Sequence, residues 1–143
     1  ALNAVYHPLH EQNSMNGVYE SITDPCTDYM YGRGSFTNPT EYKGLDNTNI
    51  SKINDVWKFW YQSIRNANIC IQNIPKGSQL TEDQKKSYLA EAYFMRAFVY
   101  LHLVQNWGGV VLRTEENMTE QNIPRSSTDD VWSLIEKDLL HAQ

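Results

Sequence analysis

The chain has 143 residues, 41% of them hydrophobic and 20% charged, the balance of a folded globular chain and of one domain, or one piece of a domain, by size. Its formal net charge is −5, and no run of Lys or Arg stands out, so nucleic acid is excluded as a partner because phosphate contacts need clustered cations. No stretch reaches the roughly 20 apolar residues that a membrane-spanning helix needs.

Residues 1 to about 22 carry Leu2, Val5, Leu9, Met15, Val18, Tyr19 and Ile22, a pattern that predicts one helix or two short ones bent near Pro8 or Gly17. The sequence opens in what reads as helix, without the basic and apolar regions of a signal peptide, and closes at His141-Ala142-Gln143 without a cap signal. Both ends read as cut, the pattern of a fragment or processed form. His7, His10 and Glu11 fall at one-turn spacing, which could seed a metal site. Structural zinc wants four ligands, however, and no other His or Cys is nearby in sequence, so neither metal nor cofactor is expected.

From residue 23 to residue 50 no period survives. Pro25, Gly32, Gly34, Pro39 and Gly44 punctuate the stretch, with aromatics Tyr29, Tyr31, Phe36 and Tyr42 between them. This reads as one long irregular loop, a length that is uncommon in compact domains unless functional. Tyrosine rings can stack on flat apolar ligand faces while their hydroxyls hydrogen-bond, and Asp, Asn and Arg add directional polar contacts. Asp28, Tyr29, Tyr31, Arg33, Asn38 and Tyr42 are therefore the candidate binding residues, suited to a sugar or a peptide. The plainer reading of any one tyrosine is that it tucks under the loop and holds it down. Cys26 lies in this loop and Cys70 near the end of a helix, and they fit one disulfide or two thiols equally well.

Ile53, Trp57, Trp60, Ile64, Ala67, Ile71 and Ile74 then recur at steps of four and three, predicting a helix that Pro75 and Gly77 end. Thr81 with Gln84 three residues on is a capping-box pattern opening the next helix. Its core side holds Tyr88, Ala92, Met95, Val99 and Leu103, with a second apolar side at Leu89, Tyr93, Ala97 and Tyr100. A helix apolar on most sides sits inside a stack, and Gly108-Gly109 stops this one. Glu91 and Arg96 interrupt it and are expected to pair with neighbouring helices; His102 reads as a hydrogen-bonded core histidine. After a loop around Pro124, Thr128 is expected to cap a last helix with Val131, Ile135, Leu139 and Ala142 as its buried stripe.

The short link between the first two strong helices predicts an antiparallel hairpin on which the last helix stacks. The fold class is thus all-α, with tetratricopeptide-like antiparallel hairpins and one long loop. No nucleophile elbow, zincin helix, phosphate-binding glycine loop or EF-hand loop is present, and nothing in the residues supports catalysis.

Three segments carry a family resemblance. Glu91 to Leu112, EAYFMRAFVYLHLVQNWGGVVL, closely resembles the E-A-x-F-[LM]-R-A-x-x-Y-x-x-L-V-x-x-[FWY]-G-x-V-P-L segment of RagB/SusD-family lipoproteins. Trp57 to Ile74 looks like that family's W-x-x-x-Y-x-x-I-x-x-A-N helix, and Pro124 to Ala142 like its P-R-x-[ST]-x-x-[ED]-V-[YW]-x-x-I-x-x-D-L segment. Two departures stand out: Val111 replaces the usual Pro, and Thr23-Asp24-Pro25 before Cys26 is not a lipobox.

The resemblance implies that residues 1–143 form the N-terminal part of a SusD-like helical domain, the remainder lying outside this chain. It implies a non-catalytic, lipid-anchored protein on the outer face of the outer membrane, anchored outside this chain. There it would bind a nutrient, most often an oligosaccharide, as partner of a TonB-dependent, SusC-like transporter. A peptide-binding member of the same family and a helical-repeat adaptor are the alternatives. The shared motifs describe scaffold, so no family ligand residue is carried onto this sequence.

Overall fold

The computed structural model describes residues 2–143, which are helical or irregular; among them no strand occurs. The helices are α1 (Asn3–His10), α2 (Glu20–Thr23), α3 (Thr37–Thr40), α4 (Ile50–Asn73), α5 (Glu82–Trp107) and α6 (Thr128–His141). The chain divides into two compact units, one of Ala1–Val5 with Gln62–Gln143 and one of Tyr6–Tyr61.

In the first unit α5 and α6 pack on one another, and the carboxyl-terminal half of α4 joins α5 through Asn68 and Arg96. The capping box foreseen at Thr81 is present: its hydroxyl accepts from the Gln84 N–H at 3.2 Å, and the Gln84 side chain accepts from the Thr81 N–H at 3.0 Å. Direction follows from who meets whom. Asn68 of α4 meets Arg96 of α5, while the later Ile74 lines the same depression as the earlier Tyr88 and Glu91, so these helices run antiparallel. Tyr93 stacks on His141, and the Gly108 end of α5 faces Thr128, so α5 and α6 are antiparallel too. The all-α hairpin architecture is as the periodicity indicates.

The core of this unit gathers Ile64, Ala67 and Ile71 from α4, Ala92, Met95, Val99, Tyr100 and Leu103 from α5, and Val131 and Ile135 from α6. Two expectations for α6 shift. Its N-cap is Ser127 rather than Thr128, in a reciprocal box with Asp130. Its third inward residue is Asp138, fully buried, rather than Leu139, which is 41% exposed. The reason is Arg96. Its guanidinium, itself buried, donates Nε and Nη2 to the two Asp138 carboxylate oxygens at 2.7 Å each. Nη1 donates to the Asn68 side-chain oxygen at 2.7 Å and to Glu115. A buried charge persists only when paired and fully hydrogen-bonded, so α6 turns its carboxylate inward and its leucine out.

Asn68, Arg96 and Asp138 are polar positions of the three motif segments, one in each, and they converge on one network. Arg125, another motif residue, also builds scaffold. It donates Nε to the Gly109 carbonyl and Nη2 to the Trp107 carbonyl, both at 2.7 Å, so it satisfies acceptors that the end of α5 leaves open. Gly109 is required by space: a Cβ there would stand 2.2 Å from the Ser126 carbonyl oxygen. Pro8 gives α1 no N–H for the Ala4 carbonyl, and Asn66 supplies the donor instead at 2.6 Å.

In the second unit α1 runs through Pro8 and stops at His10, and a π-helical turn, Met15–Tyr19, leads into α2. The break therefore falls between Pro8 and Gly17 rather than at either. Leu9, Val18, Val56 and Trp60 are buried there, with the Tyr19 ring edge-on to Trp60 at 5.0 Å.

Candidate functional site

Residues 23–50 are more structured than their composition indicates. Two 3-10 turns, Asp24–Cys26 and Gly34–Phe36, and the single-turn α3 are spaced along the segment. Pro25 and Pro39 are buried and anchor it. Asn49, fully buried, joins two distant points: its side-chain oxygen accepts from the Asp46 N–H at 2.9 Å and its Nδ2 donates to the Ser35 carbonyl at 3.2 Å. Lys52 reaches back from α4 to the Ser35 hydroxyl at 2.9 Å and lies 4.1 Å from the centre of the Phe36 ring. Gly32 donates its N–H to the Thr40 hydroxyl, and the Cys26 thiol to the Ile22 and Pro39 carbonyls. Polar side chains thus replace a hydrophobic period as what holds this segment, which is why no period is visible.

On that frame the tyrosines stand out into solvent, contrary to the expectation that they tuck under the loop. Tyr29 is 95% exposed, Tyr31 60% and Tyr42 78%. The buried prolines and Asn49 hold the segment down, which leaves the rings uncovered. Met30 and Leu45 are exposed beside them in sequence, adding apolar surface that the composition argument passed over. Two of the three phenols are nevertheless fixed at their tips. The Tyr31 hydroxyl donates to Glu41 at 2.9 Å, and the Tyr42 hydroxyl donates to the Cys26 carbonyl at 2.6 Å. The hydrogen bond to Glu41 pushes the Tyr31 phenol up, and Lys43, 2.6 Å from the carboxylate, with Tyr31 holds the Glu41 carboxyl below its ordinary value.

The other candidates divide. Asp28 and Arg33 are exposed. Asn38 is half-buried and donates its Nδ2 to Asp46, so it braces the loop. Asp46 also receives the Thr48 hydroxyl and N–H, which keep its carboxyl below the usual range. The structure therefore brings Tyr31 and Tyr42 to one short segment, Glu41–Tyr42, through Tyr31's bond to Glu41, while Asn38 serves the frame.

The remaining titratable features are structural. His7 lies 3.5 Å from Glu11 in an exposed pair. Among the described residues no group of three metal-ligating side chains forms, and Cys26 and Cys70 are free thiols. His102 is half-buried against the edge of Phe98 at 4.7 Å, and burial lowers its pKa.

Antiparallel helical hairpins held by a buried ion network define an all-α, tetratricopeptide-like class of protein. A SusD-like family model described as "Starch-binding associating with outer membrane" matches residues 2–143. The chain belongs to that family. It is 33% identical to SusD-like protein P25 of Formosa agariphila over 93 residues, 64% of this chain and 18% of the relative. A SusD-like protein of Bacteroides ovatus is 29% identical over 94 residues, 63% of this chain and 17% of the relative. The chain thus spans less than a fifth of the length of these curated relatives. Among solved structures, a laminarin-binding SusD-like protein superposes with a TM-score of 0.79 at 22% identity, over 99% of this chain and 32% of that one. A structure described as solved with xylogluco-oligosaccharide gives 0.72 at 25% identity, over 99% of this chain and 29% of that one.

Proposed function

We propose that this chain is part of a non-catalytic oligosaccharide-binding protein at the bacterial cell surface, and that residues 28–42 contribute to its sugar contact. The observation that carries the reading is the exposure of Tyr29, Tyr31 and Tyr42 on a polar-braced segment of a SusD-type scaffold. Exposed tyrosine rings offer flat apolar faces beside a polar hydroxyl, and pyranose C–H faces match a tyrosine face in size and polarity. The family description and the laminarin and xylogluco-oligosaccharide relatives support the sugar class. The finer parts of the proposal are an outer-membrane location through a lipid anchor and delivery to a TonB-dependent, SusC-like transporter. The family's stated association with the outer membrane supports them.

Native affinity electrophoresis through gels containing laminarin, xyloglucan or starch tests the reading, with calorimetry against mixed peptides as the contrast. Retardation by at least one polysaccharide, with no heat from peptides, is expected. Peptide binding without any polysaccharide retardation would replace the sugar reading with the peptide one.

A further inference from the structure

After α5 the chain turns back along the helix it has just left. Val110 is fully buried, and the Arg113 backbone is clamped by the Tyr100 hydroxyl. That hydroxyl accepts from the Arg113 N–H at 2.6 Å and donates to the Arg113 carbonyl at 3.1 Å. Asn68 of α4 donates to the same carbonyl at 3.0 Å. Two residues on, Glu115 accepts from Arg96. The spacings agree: Tyr100 to Arg96 is ~6 Å of helix, and Arg113 to Glu115 is at most about 7 Å of chain. Residues 110–115 therefore lie on α4 and α5 as a strap that ends on the Arg96–Asp138 pair.

Beyond Glu115 the chain folds on itself. Arg113 Nη1 donates to the Asn117 and Glu120 carbonyls, while the Asn117 side chain accepts from the Thr114 N–H and donates to the Leu112 carbonyl. Among the described residues, none of residues 116–124 bonds a helix. The chain is next fixed by Arg125 and by the Ser126 N–H, which donates to the Val110 carbonyl at 2.9 Å. A loop with close ends, packed by its own side chains, can open as a unit while the helices stay folded.

We propose that residues 110–115 form a strap over the Arg96–Asp138 pair, and that its free end, residues 114–121, is held shut by one acid-released latch, the Glu115–Arg96 bond. The Glu115 carboxylate is 26% exposed, whereas Asp138 on the same guanidinium is fully buried, so protons reach Glu115 first. The titratable and charged groups facing Glu115 are Arg96 and Tyr93 on α5 and Lys137 and Asp138 on α6. Burial would raise its carboxyl, but the Arg96 hydrogen bond outweighs this and holds it below its ordinary value. The latch is thus closed above about pH 4.3 and opens as pH falls through the lower folded value. Asp138 and Asn68 still hold Arg96 after that step, so the strap lifts from its Tyr100 hinge without the helices parting.

Residue-resolved hydrogen exchange on the 143-residue chain, corrected for the intrinsic rate at each pH, tests this with Glu115→Gln and Glu115→Ala. In the wild type the Thr114, Asn117 and Glu120 amides should be protected at pH 7. They should exchange about tenfold or more faster in acid that leaves the α5 amides protected. Glu115→Ala should show that faster exchange already at pH 7. Glu115→Gln, which can still accept from Arg96, should show one corrected rate at every pH. Wild-type protection in Glu115→Ala, loss of α5 protection together with the strap, or strap amides still protected in acid would each overturn the latch. Release of Glu115→Gln over the wild-type pH range would overturn it as well, by assigning the step to another group.

Discussion

Arg96 and Asp138 meet through two parallel hydrogen bonds of 2.7 Å, with the aspartate fully buried and the arginine 3% exposed. They lie 42 positions apart in sequence, on α5 and α6, and they fix which face of α6 points inward. Such a fork pairs planar guanidinium with carboxylate in its best geometry, and both groups have left water to make it.

Breaking that pair from one side should be far worse than removing it whole. Asp138→Ala leaves Arg96 buried with Glu115 alone as counter-charge and should cost about 3–5 kcal/mol in urea unfolding. The double change Arg96→Met with Asp138→Leu, which removes both charges, should cost clearly less than either single change. Additive losses in that cycle would show that the two residues act independently.

Acid should loosen the same network. Burial alone would raise the Glu115 carboxyl, but the hydrogen bond from Arg96 reverses this and holds it below its ordinary value. A depressed folded-state pKa contributes stability that is present above the unfolded value near 4.3 and lost as pH falls through the folded value. His102 adds a step of the same sign higher up. Its pKa is lowered by burial, so its contribution is present above about 6.5 and declines as pH falls below that. Melting curves should therefore show a first decline below about pH 6.5, absent in His102→Gln, and a second below about pH 4.3, smaller in Glu115→Gln. Unchanged profiles in both variants would contradict these assignments.

Gly109→Ala should be among the most damaging single-atom additions. The new Cβ meets backbone rather than a movable side chain, at 2.2 Å from the Ser126 carbonyl oxygen. The loop entering α6 must then shift, and overpacking of this kind costs about 2 kcal/mol or more. Gly44→Ala, where a Cβ meets nothing within 4 Å, should be milder and carry only the strain of its φ of 83°. Chemical denaturation of the two variants orders them, and equal losses would show that the close approach at Gly109 is relieved without cost.

The cap at the start of α6 is worth a smaller amount. Ser127→Ala removes the acceptor for the Asp130 N–H, with an expected loss of about 1 kcal/mol, whereas Thr128→Ala should be nearly neutral. The reverse order would restore Thr128 as the cap.

These contrasts also show what sequence can carry. Where apolar residues repeat every three or four positions, the period names the helix and its inward face, as for Ile64, Ala67 and Ile71. Capping chemistry is local, so Thr81 with Gln84 is legible, and Ser127 was missed only because the neighbouring Thr128 competes for the same role. Asp138 could not be read as buried, because what buries it is Arg96 from a distant helix, and a hydropathy pattern assigns the inward place to Leu139. The aromatic segment was the least legible. Pro25, Pro39 and Asn49 hold it by burial and hydrogen bonds that leave no period, so the rings' exposure follows from contacts that composition does not record. Tyr31 and Tyr42 remain candidates as exposed rings, and Asn38 as a half-buried side chain that also braces the loop through Asp46.

Ring-selective NMR of the chain carrying labelled tyrosine, titrated with a gluco-oligosaccharide, tests the central claim most directly. The account predicts that the Tyr31 and Tyr42 ring signals shift together and saturate with one affinity, while the fully buried Tyr100, part of the helical core, stays still. Saturable shifts confined to tyrosines of the helical scaffold, with Tyr29, Tyr31 and Tyr42 unmoved, would contradict it.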